Sequence, residues 1–296
     1  MRRNGEQITA GWRSRCAIWL AWLGLLLALC ATTHAGNPLS TNDPLTPGRN
    51  GWEVNVSHGI RASSHIFTQD LPRLNINYGS LENNQWKISI PGIIADPEDG
   101  AAHGGLGDIQ LGYKYRFLGV DEKGLMASVY PQLLVPTGDK DLFLGGGRYE
   151  LDMPLQLAHR FFDDKLLTYA EVGYNHVFDD PKNDSWHYGL AGELTVTENL
   201  VVLGEVGGFA FPRGADPDDT FFNVGFQYRF HKNVALQTAF GRSFHDRSHG
   251  TPDLLTYVGL HITWGGNNSE ESSDPRELAL RTPSRFSKRG LARLFL

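Results

Sequence analysis

Hydrophobic and polar residues alternate along most of the chain between Trp52 and Trp264. Because successive side chains of an extended strand point to opposite faces, an alternation with period two predicts β-strands. In the clearest stretch, apolar or aromatic residues occupy every second position: Ile109, Leu111, Tyr113, Tyr115 and Phe117. The whole pattern predicts twelve strands, at about residues 52–61, 71–78, 86–94, 108–117, 125–135, 148–158, 167–178, 186–195, 201–209, 221–230, 234–241 and 254–264.

The segments between the predicted strands alternate in length. Those after odd-numbered strands are mostly long and acidic, whereas those after even-numbered strands are mostly short turns. Outer-membrane barrels have an even number of antiparallel strands, with short turns at one rim and long loops at the other. The sequence therefore predicts an all-β fold, a twelve-stranded antiparallel transmembrane β-barrel of the bacterial outer membrane, over residues 52–264.

A soluble β-sandwich also has alternating strands, and the positions of the charged residues separate the two folds. All fourteen charged residues of the predicted strands share the parity of the polar residues. In a membrane barrel that parity faces the lumen and the apolar parity faces lipid. Aromatic residues on the apolar parity form two groups that are typical of interfacial girdles: Trp52, Tyr78, Trp86, Phe117, Phe230 and Trp264 at one rim, and Tyr149, Phe178, Trp186, Phe222 and Phe240 at the other.

The two ends of the chain lack this alternation. Four arginines precede an uncharged apolar run from Cys16 to Ala31, which small residues follow. This pattern predicts a cleaved secretory signal peptide over residues 1–35. The run is shorter than the ~20 residues that a spanning helix needs. Residues 36–51 are predicted to be a linker, and residues 265–296, polar and then basic, to be a disordered periplasmic tail.

The last predicted strand has a spacing of glycine, apolar and aromatic residues that resembles the signal read by the barrel assembly machinery of the outer membrane. The residues are Gly259, Ile262 and Trp264. They predict that this machinery is a partner during assembly, although the signal usually ends a chain and here a tail follows it. The barrel fold also predicts contact with outer-membrane lipid and lipopolysaccharide.

Composition excludes several classes of function. The formal charge of −6 argues against binding to the phosphate backbone of a nucleic acid. Both cysteines lie within the predicted signal peptide, so the exported chain has no thiol for catalysis or for a metal site. The sequence contains no phosphate-binding loop, metalloprotease motif or calcium loop. It therefore predicts no metal site and no cofactor.

The charged residues on the predicted inner face are balanced, with seven basic and seven acidic side chains. Such groups can pair and fill a narrow barrel, or line a polar path through it. We expect a constriction in which Asp108, Lys114 and Arg116 of strand four meet Arg148, Glu150 and Asp152 of strand six. The acidic loops predict a weak bias against anions at the mouth. The candidate pore-lining residues are Lys87, Asp108, Lys114, Arg116, Arg148, Glu150, Asp152, Glu171, Glu193, Glu205 and Arg229.

Two prolines interrupt otherwise regular strand patterns. Pro131 and Pro154 lie inside predicted strands five and six, and each lacks the amide donor that a sheet ladder needs. A closed barrel has no free edge at which such a residue is tolerated. We therefore predict a bulge or a local break beside each proline.

Four segments in the central half of the chain resemble a known family. They are similar to outer-membrane transporters that are linked to the phenol meta-degradation pathway. The resemblance implies a barrel that takes up small solutes, with aromatic compounds as candidates, and it supplies no binding residues. The segments are GLGDIQLGYKYRF (Gly105–Phe117), YPQLLVPTGD (Tyr130–Asp139), GRYELDMPLQLAHRF (Gly147–Phe161) and TYAEVGYNHVF (Thr168–Phe178).

We interpret the chain as an outer-membrane channel or uptake porin through which small solutes diffuse passively, and not as an enzyme. One alternative is a barrel enzyme of the phospholipase type, since twelve-stranded barrels with that activity exist. It would need a Ser–His pair from residues near the outer rim, such as His58, His176, Ser63 and Ser64, and the sequence shows no third group to orient the base. A structural barrel with a plugged lumen is a further alternative.

Overall fold

The predicted strands form a closed antiparallel barrel. The computed structural model describes residues 38–63, 65–214, 218–245 and 254–266. The first strand pairs with the second on one side and with the last on the other, which closes the sheet. The strands are β1 (Gly51–Ala62), β2 (Ile66–Tyr78), β3 (Asn84–Pro97), β4 (His103–Leu106), β5 (Ile109–Leu118), β6 (Leu125–Val129), β7 (Gln132–Val135), β8 (Glu150–Asp152), β9 (Leu155–Phe161), β10 (Leu166–Val177), β11 (Ser185–Thr197), β12 (Leu200–Ala210), β13 (Asp219–His231), β14 (Val234–Ser243) and β15 (Leu254–Gly265).

The fifteen strand segments make twelve barrel strands, because three barrel strands are interrupted. β4 and β5 both pair with β3, β6 and β7 both pair with β5, and β8 and β9 both pair with β10. The predicted fold is therefore confirmed. The largest differences in bounds are that β2 begins at Ile66 rather than near Leu71, and that barrel strand four begins at His103 rather than near Asp108. The predicted signal peptide, and the predicted tail beyond residue 266, lie outside the described residues.

Both proline positions carry the predicted local breaks. The ladder is interrupted at Tyr130–Pro131, between β6 and β7, and at Met153–Pro154, between β8 and β9. The register is unchanged across each break, so no residue is bulged out at the prolines, and the β5–β6 register shifts only farther on, between Arg116 and Leu118. The two breaks are adjacent, since the Tyr130 amide donates to the Pro154 carbonyl at 3.0 Å. The two proline breaks therefore lie side by side in one region of the wall.

The barrel is apolar outside and polar inside, as the alternation predicts. Leu111 of β5 and Val224 of β13 are 43% and 41% exposed on the outer face. Gln156 of β9 and Gln237 of β14, in contrast, have no exposed surface. A soluble protein buries its apolar residues, so this inverted arrangement fits an outer face in contact with lipid.

Aromatic residues pack at the seam where the barrel closes. Trp52 of β1 stacks on Trp264 of β15 with ring centroids 6.0 Å apart, and it lies 4.5 Å from the ring of Tyr78 on β2. Ring pairs of this kind contribute about 0.5–1.5 kcal/mol beyond the area that they bury. Three members of one predicted girdle thus hold the first and last strands together.

The connections alternate between short turns and long loops. The short ones include residues 198–199 and 232–233, and the long ones include residues 136–149 and 178–184. Two single 3₁₀ turns, Lys140–Leu142 and Pro181–Asn183, lie within long loops. In the described part of the chain, no helix is both long and apolar enough to cross a membrane.

Candidate functional site

A segment that precedes β1 lies inside the barrel. It comprises residues 38–46 and is called the lumen segment below. The backbone amides of Ser40 and Thr41 donate to the two carboxylate oxygens of Glu205, at 2.8 and 2.7 Å. The side chain of Asn223 donates to the same carboxylate at 2.6 Å. Glu205, a predicted pore-lining residue, therefore binds a segment of its own chain.

Two cations of β5 bind the other end of the lumen segment. Lys114 Nζ lies 2.5 Å from the carbonyl oxygen of Asp43 and 3.2 Å from that of Leu45. Arg116 donates to the carbonyl of Pro44 at 3.3 Å. Both cations are almost fully buried. Because a buried charge is costly without partners, these carbonyls stabilise the two cations as well as the segment.

Apolar contacts and a close approach also position the lumen segment. Leu39 and Leu45 are both nearly buried, in a cluster that includes Tyr169 of β10. Gly189 of β11 faces Thr41, and a Cβ at this glycine would overlap the Thr41 side chain. The absence of a side chain at this glycine therefore leaves the space that Thr41 fills.

The lumen segment lies within residues 36–51, which are predicted to be a linker, and residues 38–46 are ordered against the barrel wall. Its sequence, PLSTNDPLT, has no period of two or of 3.6 residues, so nothing in it predicts an ordered element. Order comes instead from the wall, which supplies acceptors for its amides and donors for its carbonyls. A segment without secondary structure can be buried when its backbone groups are matched in this way.

Two cavities of about 470 Å³ each remain in the lumen beside this segment. The outer cavity lies against the loop of residues 136–149, and the inner cavity runs alongside residues 38–45. The cavities adjoin each other, because they share several lining residues. The shared residues are Pro38, Ser40, Arg61, Asp70, Arg73 and Tyr257.

The inner cavity is lined by charged side chains that contact neutral amides and one histidine. Lys87 donates to Gln132 at 3.2 Å, and Gln132 donates in turn to Asp152 at 3.4 Å. His187 lies between two carboxylates, with Nε2 3.0 Å from Asp152 and Nδ1 3.8 Å from Glu171. The predicted residues that line this cavity are Lys87, Lys114, Asp152 and Glu171.

Glu171 connects this network to the lumen segment. It accepts hydrogen bonds from Gln156 at 2.6 Å and from Asn42 at 3.3 Å. Gly173 lies opposite His187 in the ladder and leaves the space that the imidazole fills. Charge alone does not reveal His187 and Gln132 as lining residues, although both lie on the polar parity of their strands.

Asp108 holds the loop of residues 136–149. Its Oδ1 accepts the amide of Gly138 at 2.8 Å, and its Oδ2 accepts the amide of Gly146 at 2.7 Å. Leu144 of this loop is buried and lines the outer cavity. Asp108 therefore fixes the loop over that cavity and does not itself line the two large cavities.

The expected constriction between barrel strands four and six differs from what the structure shows. Arg148 lies in the loop before β8 and pairs with Asp180 at 2.6 Å. Glu150 accepts a hydrogen bond from Asn175 on β10 at 2.8 Å. The two cations of β5 bind the lumen segment instead. An alternation with period two predicts whether a side chain faces the lumen or the lipid. It predicts neither the position of the residue along the barrel axis nor which other segments of the chain fill the lumen.

Two further candidates lie toward the short-turn rim. Glu193 of β11 is close to the hydroxyl of Tyr169. Arg229 of β13 is half-buried, and its amide donates to the carbonyl of Asn199 in the turn before β12. Neither residue lines the outer or the inner cavity.

A polar cluster outside the membrane connects two long loops. The buried carboxylate of Asp184 accepts hydrogen bonds from Tyr174 at 2.7 Å and from the Val177 amide at 2.9 Å. Arg213, from the loop after β12, lies 2.6 Å from it, and His176 lies at 3.1 Å. Burial acts to raise the pKa of Asp184, but these hydrogen bonds outweigh it and hold that pKa below the ordinary aspartate value.

The residues considered for a phospholipase have other partners. His58 lies 3.2 Å from Gln69, and the Ser63 hydroxyl donates to a carbonyl of its own turn. His176 belongs to the cluster just described, and Ser64 lies outside the described residues. Within the described ranges, no group of three or more His, Cys, Asp or Glu side chains is placed to hold a metal ion.

Solved structures share this architecture. The chain is similar to an outer membrane channel from Pseudomonas putida F1, with a TM-score of 0.57 and 15% identity over 78% of this chain and 99% of that one. It is also similar to the NanC porin, with a TM-score of 0.52 and 9% identity over 71% and 98% of the two chains. At these identities the likeness shows the fold. No curated protein sequence matches the chain.

A family model provides the match at the level of sequence. It covers residues 75–258, which is more than half of the chain and runs from β2 to β15. The matched range includes all four segments that carry the resemblance noted from the sequence. The chain therefore belongs to the family described as "Putative MetA-pathway of phenol degradation", and its fold is that of an outer-membrane β-barrel.

Proposed function

We propose that the protein is a passive outer-membrane channel for small solutes, and not an enzyme. The observation that carries the proposal is the pair of adjoining cavities, which leave polar space along the lumen segment. A side chain such as Lys87 contacts neutral Gln132, and no carboxylate among the described residues forms a direct ion pair with it. This arrangement suits a path for solutes better than a lumen closed by salt bridges.

The dimensions of the lumen limit the size of the solute. A twelve-stranded barrel is wider than an eight-stranded one, which side chains fill, and narrower than a sixteen-stranded porin. The lumen segment occupies part of that width. Aromatic compounds are candidate solutes, because the family description refers to phenol degradation.

We propose further that residues 1–35 are removed during export, and that Gly259, Ile262 and Trp264 are read by the barrel assembly machinery. The proposal rests on the sequence pattern and on the outer-membrane fold. The intact mass of the purified mature protein tests the cleavage. A mass that includes residues 1–35 would contradict it.

Conductance and swelling measurements test the channel. The refolded protein in planar bilayers is expected to give steady ion currents. Liposomes that contain it should swell faster in a small solute such as arabinose than in a trisaccharide, because the free space is narrow. Liposomes with heat-denatured protein are the control. Absence of both current and swelling would overturn the proposal.

The lumen segment itself supports a second candidate, the structural barrel with a plugged lumen. The segment is fixed at both ends, by Glu205 and by Lys114. A variant lacking residues 38–46 separates the two possibilities. Currents from the intact protein support the channel, whereas currents that appear in the deletion variant alone support the plugged barrel.

A further inference from the structure

The outer cavity has an uneven distribution of charge. Among its described lining residues, Arg61, Arg73 and Lys140 are cationic and Asp70 is anionic. Arg73 binds Asp70 through two hydrogen bonds of 3.0 Å, so these two charges neutralise each other. Within the described residues, neither Arg61 nor Lys140 lies within ion-pair distance of a carboxylate.

The next carboxylate near Arg61 already has partners. Asp219 is close enough to Arg61 to interact with it through space. Its carboxylate accepts the Ser243 hydroxyl and lies 3.5 Å from His245. Asp219 therefore offsets only part of the positive charge, and the described part of the outer cavity wall remains cationic.

The rest of the wall is mixed, with the polar residues Ser40, Thr68, Asn223 and Thr256 beside an apolar surface. Leu255 of β15 lies directly opposite Arg61 in the register with β1, so the apolar surface begins beside the cation. Ile93 of β3 and Leu144 of the long loop continue it, and Tyr257 adds an aromatic ring. The volume of about 470 Å³ lies within the range of sites that bind small molecules.

Lys140 is placed at this cavity by a fixed loop. It belongs to the 3₁₀ turn Lys140–Leu142, which lies between the two glycines whose amides bind Asp108. Two cations from different elements, one on β1 and one on the loop, thus face the same cavity. An anion between them would gain charge-assisted hydrogen bonds from both.

We propose that the outer cavity binds small organic carboxylates that have an apolar, ring-sized body. The carboxylate contacts Arg61 and Lys140, since a guanidinium matches the two carboxylate oxygens. The body packs against Leu144, Leu255 and Tyr257. The inference rests on the proposed channel function for its physiological meaning and names the class of solute. A site of this kind favours anions. The acidic loops predict the opposite, a weak bias against anions at the mouth, but the charge beneath those loops is positive.

Equilibrium binding tests the site directly. Isothermal titration of the detergent-solubilised protein with benzoate, and with neutral benzyl alcohol, is the measurement. Benzoate is expected to bind more tightly, and Arg61→Gln to weaken benzoate binding by about tenfold or more. The same substitution should leave benzyl alcohol unaffected, and Arg61→Lys should restore part of the benzoate affinity.

A matched control tests the loop cation. Lys140→Gln should weaken benzoate binding, whereas Lys182→Gln, an identical change on an exposed loop that does not line the cavity, should not. Equal affinities for benzoate and benzyl alcohol, or equal effects of the two lysine variants, would overturn the proposal.

The outcome for the site is separable from the outcome for the channel. Currents without benzoate binding would reject the carboxylate site and keep the channel. Benzoate binding without currents or swelling would keep the site and reject the channel. A cyclohexanecarboxylate titration adds to the test, because a non-aromatic ring of similar size should bind as well, whereas acetate should bind less tightly.

Discussion

Lys114 Nζ lies 2.5 Å from the carbonyl oxygen of Asp43, inside the barrel. The two residues are 71 positions apart in the sequence, and Asp43 lies in a segment for which no secondary structure is predicted. Lys114 was expected to meet an acid of barrel strand six, but its shortest contact is with this backbone carbonyl, and the acid beside it, at 3.9 Å, is the carboxylate of Asp43 itself. The contact makes Lys114 a positioning residue for the lumen segment.

Lys114→Met is expected to loosen that segment. A hydrogen bond to a charged group contributes about 1.5–3 kcal/mol, so residues 38–46 should lose protection against hydrogen exchange. Lys87→Met is the matched control, because Lys87 contacts Gln132 and not the segment. Equal loss of protection in both variants would contradict the assignment.

Gly189→Ala should displace the lumen segment without changing any charge. The added methyl group overlaps Thr41, so the segment must shift, and the single-channel conductance or its fluctuations should increase. Gly192→Ala in the same strand has room for its methyl group and should leave the current unchanged. Identical currents from the two variants would show that the segment does not limit conduction.

Asp108→Asn should release the loop of residues 136–149. In this variant an NH2 group replaces one of the two carboxylate oxygens and faces a backbone N–H, which then has no acceptor. The loss destabilises the loop by about 1–3 kcal/mol. Faster hydrogen exchange across the loop, with the barrel strands unchanged, is the expected result. Asp141→Asn, on the exposed turn of the same loop, serves as the comparison and should have no such effect.

The Asp184 cluster should make the outer loops sensitive to acid. Because the pKa of Asp184 in the folded protein lies below its ordinary value, the stabilisation is complete above that ordinary value, near pH 4. It is lost as the pH falls through the lower, folded value. Hydrogen exchange at residues 178–184 should therefore rise in strong acid. In Asp184→Asn the exchange should already be fast at neutral pH, without this dependence.

Leu111→Arg and Gln110→Arg test the orientation of the wall. Leu111 faces outward and Gln110 lines the inner cavity. An arginine on the lipid face near the bilayer midplane costs about 2–4 kcal/mol, whereas the lumen tolerates it better. Refolding into vesicles at a series of urea concentrations measures the difference. Equal destabilisation would mean that the two faces are not distinguished.

Strands and faces could be predicted from the sequence because both follow from local alternation. The breaks at Pro131 and Pro154 were predictable for the same reason, since a proline removes a donor wherever it stands. The partners of Lys114, Asp108 and Glu205 were not. Each of them binds the backbone of an irregular segment, and those segments have no period from which their path could be derived.

The lumen segment is a ligand that is covalently attached to its own receptor. Residues 47–50 alone join it to β1, so its effective concentration at the wall is set by a very short tether and reaches the millimolar range or above. A separate peptide of the same sequence would compete with it only at comparable concentrations. Cutting the chain within those four residues would turn a permanent occupant into a dissociable one, whose release then depends on dilution.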